Sequence, residues 1–205
     1  MKDSLPTPAR FFRLAVAFEG GLVLAGLAIG WLMSPPAWEL AIWSVRAVLL
    51  GLLWSLPLLG ALVFLRQCRG GAVGRLNCTV DVLLVPLFNG LALWHFAVIS
   101  LLAGVGEELL FRGILQRLLS DWLGELWAIV LTSVVFGLAH LITPLYGLLA
   151  ALVSAFLGWL FIRYENLAVP MVTHAMYDFV ALAYLVRPQK YEGQSTKDEP
   201  AESLR

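Results

Sequence analysis

Residues 104–125 read GVGEELLFRGILQRLLSDWLGE, and this stretch decides the fold. Its apolar residues recur at the three-to-four spacing of a helix, yet Glu107, Glu108 and Arg112 sit among them. A helix of this kind does not face lipid, because an ionised side chain at mid-bilayer costs about 2.5–3.5 kcal/mol even on the mildest insertion scales. It needs other helices around it, and the flanking sequence supplies them. Downstream, residues 126–142, 145–162 and 167–186 are apolar runs separated by Thr143-Pro144 and by Arg163-Tyr164-Glu165-Asn166, the pattern of helical hairpins with tight turns. Upstream, the expected spans are 14–33, 41–65 and 80–103. The last of these carries Asp81, Pro86 and Asn89 early, so its crossing is expected to begin near Leu87. The first is too long for a signal-peptide core and matches a hydrocarbon layer of ~30 Å. The predicted fold is all-α, a polytopic transmembrane bundle of about six to eight helices.

Composition agrees. Of 205 residues 60% are hydrophobic and 14% charged, which no average soluble domain shows. Fourteen Lys and Arg balance fourteen Asp and Glu, removing the electrostatic attraction on which nucleic-acid binding depends. The two cysteines, Cys68 and Cys78, lack metal-ligand spacing and are read as free thiols facing a reducing compartment. Three domain segments are expected: a cytoplasmic N-terminal stretch at 1–13, a membrane domain at 14–186, and a disordered polar tail at 187–205. Basic residues before the first span and Arg66, Arg69 and Arg75 in the second loop predict a cytoplasmic N-terminus in a multi-pass cell-membrane protein. No internal repeat supports a transporter built from inverted halves.

The polar residues inside the spans carry the chemistry. Glu108 and Arg112 are one turn apart in acid-first order and form an expected ion pair, which leaves Glu107 over. His140 follows Phe136 by one turn, and His174 and Asp178 are likewise one turn apart. Glu107, His140, His174 and Asp178 therefore form a candidate constellation drawn from three helices. Two imidazoles and two carboxylates can hold a divalent metal that activates water, or deprotonate water directly, and either route gives hydrolysis. Ser100, Ser133 and Ser154 read as packing positions. His95 reads as structural or interfacial, Glu19 as a charge without a nameable partner, Arg46 and Arg163 as snorkelling cations, and Trp31, Trp38, Trp122 and Trp127 as interface anchors.

The segments EELLFR at 107–112, FGLAH at 136–140 and HAMYD at 174–178 resemble, in order and spacing, the three motifs of the CAAX-processing and bacteriocin-processing (CPBP) intramembrane proteases. That family includes the type II CAAX prenyl endopeptidases, and the resemblance covers roughly residues 84–185. It implies that Glu107 is the base that activates water, that His140 shares this role, and that Glu108, Arg112 and Phe136 support the site. It implies that His174 and Asp178 polarise the scissile carbonyl and stabilise the oxyanion. The family often has asparagine where this chain has Asp178. Asp178 would then be a protonated donor, an orienting partner of His174, or a metal ligand. The resemblance favours no cofactor; were zinc or another divalent metal bound, His140, His174, Asp178 and Glu107 would be its ligands. The implied substrate is a lipid-anchored or membrane-embedded peptide or protein, met within the bilayer, and the short chain suits a bacterial member. The competing expectations are a scaffold or bacteriocin-immunity protein with this fold, and a small transporter with a proton relay.

Overall fold

A computed structural model describes residues 6–186. The tail expected to be disordered, 187–205, and the start of the N-terminal stretch lie outside the described residues. Among the described residues all regular structure is helical. Helix α1 (Pro8–Gly30) starts ahead of the apolar run, because Thr7 Oγ1 accepts from Arg10 N and Pro8 occupies the first turn, where its missing N–H costs nothing. A 3₁₀ turn at Ala37–Leu40 leads to α2 (Val45–Gln67), capped by Ser44 Oγ accepting from Ala47 N. Pro57 sits inside α2 without ending it.

The expected span 80–103 is corrected here. Helix α3 (Gly71–Thr79) runs through a π turn at Val80–Leu84 into α4 (Val85–Phe88), and Gly71–Phe88 is itself long and apolar enough to cross a membrane. The chain then turns at Asn89–Ala92, where Gly90 has φ 88, a left-handed conformation that a side chain resists. Helix α5 (Leu93–Glu108) follows and continues through a π segment, Leu109–Gln116, into α6 (Arg117–Leu123). The charged stretch is thus helical as expected, but it prolongs α5 and is no separate element. Hydropathy runs across the break because Leu91 and Ala92 are as apolar as the helices on either side.

The last three helices lie close to their expected bounds: α7 (Glu125–Ala139), α8 (Pro144–Tyr164) and α9 (Ala168–Leu185). Among the described residues five helices are apolar and long enough to span: Pro8–Gly30, Val45–Gln67, Gly71–Phe88, Pro144–Tyr164 and Ala168–Leu185. Their outward Leu, Val and Phe side chains, such as Leu24, Leu49, Phe64 and Leu152, are exposed, which fits a hydrocarbon solvent.

Helices α5 and α9 form the centre, with α1 against α5, α2 against α9 and α7 against α8. The α5–α9 contact rests on Gly104, where a Cβ would lie 2.8 Å from Ala175 Cβ and 2.9 Å from Met171 O. The α1–α5 contact rests on Gly106, where it would lie 3.2 Å from Glu19 O. Small residues at such crossings let helix backbones approach without a hydrophobic drive from solvent. Helix α9 is tied at its start, where Leu167 N donates to Leu40 O and Asn166 exchanges two hydrogen bonds with the backbone of Ile42. Farther along α9, Thr173 Oγ1 donates to Gly51 O of α2 at 3.1 Å. Trp31, Trp122 and Trp127 are exposed, and Trp38 is half-buried against the cluster of Ala37, Leu109 and Leu167.

Candidate active site

Glu107 and Glu108 end α5 where the helix changes to π geometry, an extra residue per turn that often marks functional positions. Glu108 and Arg112 are fully buried, and Arg112 Nη1 donates to Glu108 Oε1 at 2.8 Å. Arg112 Nη2 donates to the carbonyl and the hydroxyl of Ser154 at 2.6 and 2.8 Å, and Gln116 Nε2 donates to Gly158 O, so α8 is clamped onto the π segment. The guanidinium also lies 5.4 Å from the Phe136 ring centroid.

The pairing of Glu108 with Arg112 is only half of its geometry. Glu108 Oε1 also accepts from His174 Nδ1 at 2.8 Å. One buried carboxylate oxygen thus joins the α8 clamp to the histidine of α9, a link that no spacing within one helix can show. Phe136 performs a similar duty on the other side: its ring stacks on His140 with centroids 4.3 Å apart and meets Phe111 and His174 edge-on. His140 closes the C-terminal end of α7, where its Nδ1 donates to Phe136 O at 2.9 Å.

Both histidines are therefore held through Nδ1 and present Nε2 to one place. His140 Nε2 is 3.9 Å from Glu107 Oε1, and His174 Nε2 is 4.0 Å from Glu107 Oε2 and 3.4 Å from Asp178 Oδ2. The structure thus brings together Glu107, His140, His174 and Asp178. Glu107 is 7% exposed, and its Oε2 has no hydrogen-bond partner. Separations of 3.9–4.0 Å exceed a direct hydrogen bond and match two groups that share a water. His140 and Asp178 keep about a third of their side-chain surface and form the open side.

Two further groups reach the site. The carboxylate of Glu19, on α1, interacts electrostatically with Asp178, His174 and Glu107. The phenol of Tyr146, on the first turn of α8, interacts with Asp178 and Glu107. Glu19 stands out in sequence as a charge in an apolar run, but its target helix is far along the chain; Tyr146 carries no sequence signal. His95 is not brought to the site: it accepts from Ala92 N at the start of α5 and stacks on Trp94. Ser100 and Ser133 are buried as expected of packing positions, whereas Ser154, also buried, departs from that expectation by accepting from Arg112, and Arg163 lies over the Tyr164 ring. Both cysteines are free thiols. Among the described residues no three His, Cys, Asp or Glu side chains are disposed to hold one ion.

The arrangement can take a proton from water and donate to a developing oxyanion. Comparison with known proteins bears on which reaction this serves. Residues 89–180 match the family model described as type II CAAX prenyl endopeptidase Rce1-like, so this segment is similar to the family that the three motifs resemble. The match spans all three motifs and excludes α1 and α2. No curated protein and no solved structure matches the chain. At the level of the family, the match supports an intramembrane protease of the CAAX type.

Proposed function

With that family match as premise, we propose that the chain is an intramembrane endopeptidase that hydrolyses a peptide bond of a lipid-anchored or membrane-embedded substrate by a glutamate-activated water. The observation that carries this reading is Glu107 flanked by the Nε2 atoms of His140 and His174 at 3.9 and 4.0 Å, each imidazole oriented through Nδ1.

The steps follow from the groups. A water between Glu107 and His140 gives a proton to the Glu107 carboxylate, and its oxygen attacks the scissile carbonyl carbon. The carbonyl oxygen becomes an oxyanion, and an N–H at His174 Nε2 donates to it. Such preorganised donation is typically worth 10²–10³ in rate, about 2.7–4 kcal/mol. The tetrahedral intermediate then collapses, the C–N bond breaks, and the proton held by Glu107 passes to the leaving amine. Asp178, 3.4 Å from His174 Nε2, orients that donor; this choice is favoured over direct donation because the carboxylate faces the ring nitrogen. Glu108 acts on the far side of the same ring. Removing it would disturb both the fold and the donor.

The lipid bilayer is the setting in which enzyme and substrate meet, and Arg66 at the end of α2, Arg69 between the helices and Arg75 in the first turns of α3 favour a cytoplasmic N-terminus. The test is purified protein in lipid vesicles with a panel of prenylated and acylated peptides, the products read by mass spectrometry. The expected result is a single cleavage that Glu107→Gln abolishes. Cleavage by wild type and Glu107→Gln alike overturns the glutamate-activated water, and cleavage by neither overturns the protease reading and leaves a scaffold or immunity role.

A further inference from the structure

Among the described residues, Glu19 is the one carboxylate acting on the site that lies outside the matched segment. Gly106 brings it there: without a side chain at 106, α1 packs so closely that Glu19 O and Val23 N would touch a Cβ at that position, one residue before Glu107. Glu19 Oε2 is buried and has no hydrogen-bond partner, and the same holds for Glu107 Oε2. Buried carboxylate oxygens are ordinarily satisfied, so two orphans on helices packed this closely, whose carboxylates act on each other electrostatically, call for a donor. Neither oxygen takes a protein N–H: the Nε2 atoms of His140 and His174 lie 3.9 and 4.0 Å from the Glu107 carboxylate, beyond hydrogen-bond reach, while Arg112 Nη1 and Nη2 are committed to Glu108 and Ser154 and His174 Nδ1 to Glu108.

We propose that Glu19 is a further residue of the reaction site, accepting the second hydrogen of the water whose first hydrogen Glu107 removes. This rests on the reading of the site as a water-activating protease. A water held by two carboxylates donates both of its O–H bonds and keeps its lone pairs for the carbonyl carbon. On attack, one proton moves to Glu107 and the other stays on oxygen as the hydroxyl of the tetrahedral intermediate, still bonded to Glu19. The proton on Glu107 then leaves with the amine, and the balance is that of simple hydrolysis. Glu19 thus fixes the direction of attack and takes up no proton.

The experiment compares wild type, Glu19→Gln, Glu19→Met and Glu19→Ala in vesicles, alongside Glu107→Gln. Glutamine keeps an acceptor oxygen and is expected to retain kcat within about threefold. Methionine keeps length without an acceptor, and is expected to lose about 10- to 100-fold in kcat with KM nearly unchanged, as loss of orientation does. Formate added to Glu19→Ala is expected to restore part of the rate. A fully active Glu19→Met, a loss confined to KM, a Gln variant as impaired as Met, or an Ala variant that formate does not rescue each overturns the proposal. Failure of both apolar variants to accumulate overturns it as well, by making Glu19 a residue of folding. Activity that survives Glu107→Gln would instead overturn the underlying glutamate-activated water, so the two failures are distinct.

Discussion

At the scale of single residues, the charges divide by what their loss leaves behind. Glu107 is buried and its Oε2 has no hydrogen-bond partner, with the two histidines at 3.9 and 4.0 Å, so Glu107→Gln removes a base and breaks no direct hydrogen bond of that oxygen. The expected outcome is unchanged accumulation and unfolding temperature with a loss of about 10²–10⁴ in kcat, checked on purified protein. Glu108 and Arg112 are paired and fully buried, so either single change to glutamine strands a charge, costing ~3–5 kcal/mol and depleting the protein from the membrane. The double variant Glu108→Gln, Arg112→Gln is expected to recover part of that accumulation. It is not expected to recover activity, because His174 Nδ1 has lost the carboxylate that orients it. Normal accumulation of both single variants, by quantitative immunoblot, would show that the pair contributes nothing. Asp178 is only partly buried and beside Nε2, so Asp178→Asn, which keeps an oxygen toward the ring, is expected to stay within tenfold of wild type.

At the scale of elements, the site depends on how closely α1 and α9 approach α5. Gly104 faces Ala175 Cβ and N and Met171 O, which are mostly rigid atoms one turn from His174. Gly104→Val is therefore expected to push α9 outward, destabilise by about 1–3 kcal/mol and lower kcat by at least tenfold even in the fraction that folds. Gly60→Ala, at an open position of α2, is the control and is expected to change neither. Equal effects would mean that the α5–α9 spacing does not govern the site. The π segment after Glu108 has a related function. It carries Arg112 and Gln116 to α8 while the pair of glutamates stays on the inner side of α5.

At the scale of the whole molecule, the proposed chemistry needs only side chains that the bundle brings together. Protein treated with a strong chelator and dialysed is expected to keep its rate, and elemental analysis to find no stoichiometric zinc. Chelator-sensitive activity restored by zinc, with Asp178→Asn inactive, would reverse that expectation and make Asp178 a ligand.

The sequence alone determined the class and most of the parts. A bilayer demands runs of apolar residues in helices, so the spans around α7, α8 and α9 were legible to within a few residues, as were Phe136 and His140 one turn apart on α7. Three elements of chemistry were legible as odd charges, because a carboxylate or histidine among leucines is expensive and stands out. The boundary at Asn89–Ala92 was not, since hydropathy is blind to a left-handed glycine between two apolar helices. What only the tertiary structure decided was which of those charges meet. Glu108 touches His174 across 66 positions of chain, and a glycine at 106 lets α1, which carries Glu19, pack beside Glu107. Periodicity relates residues within one helix, whereas these contacts depend on the distance and rotation between helices, which packing of small residues sets.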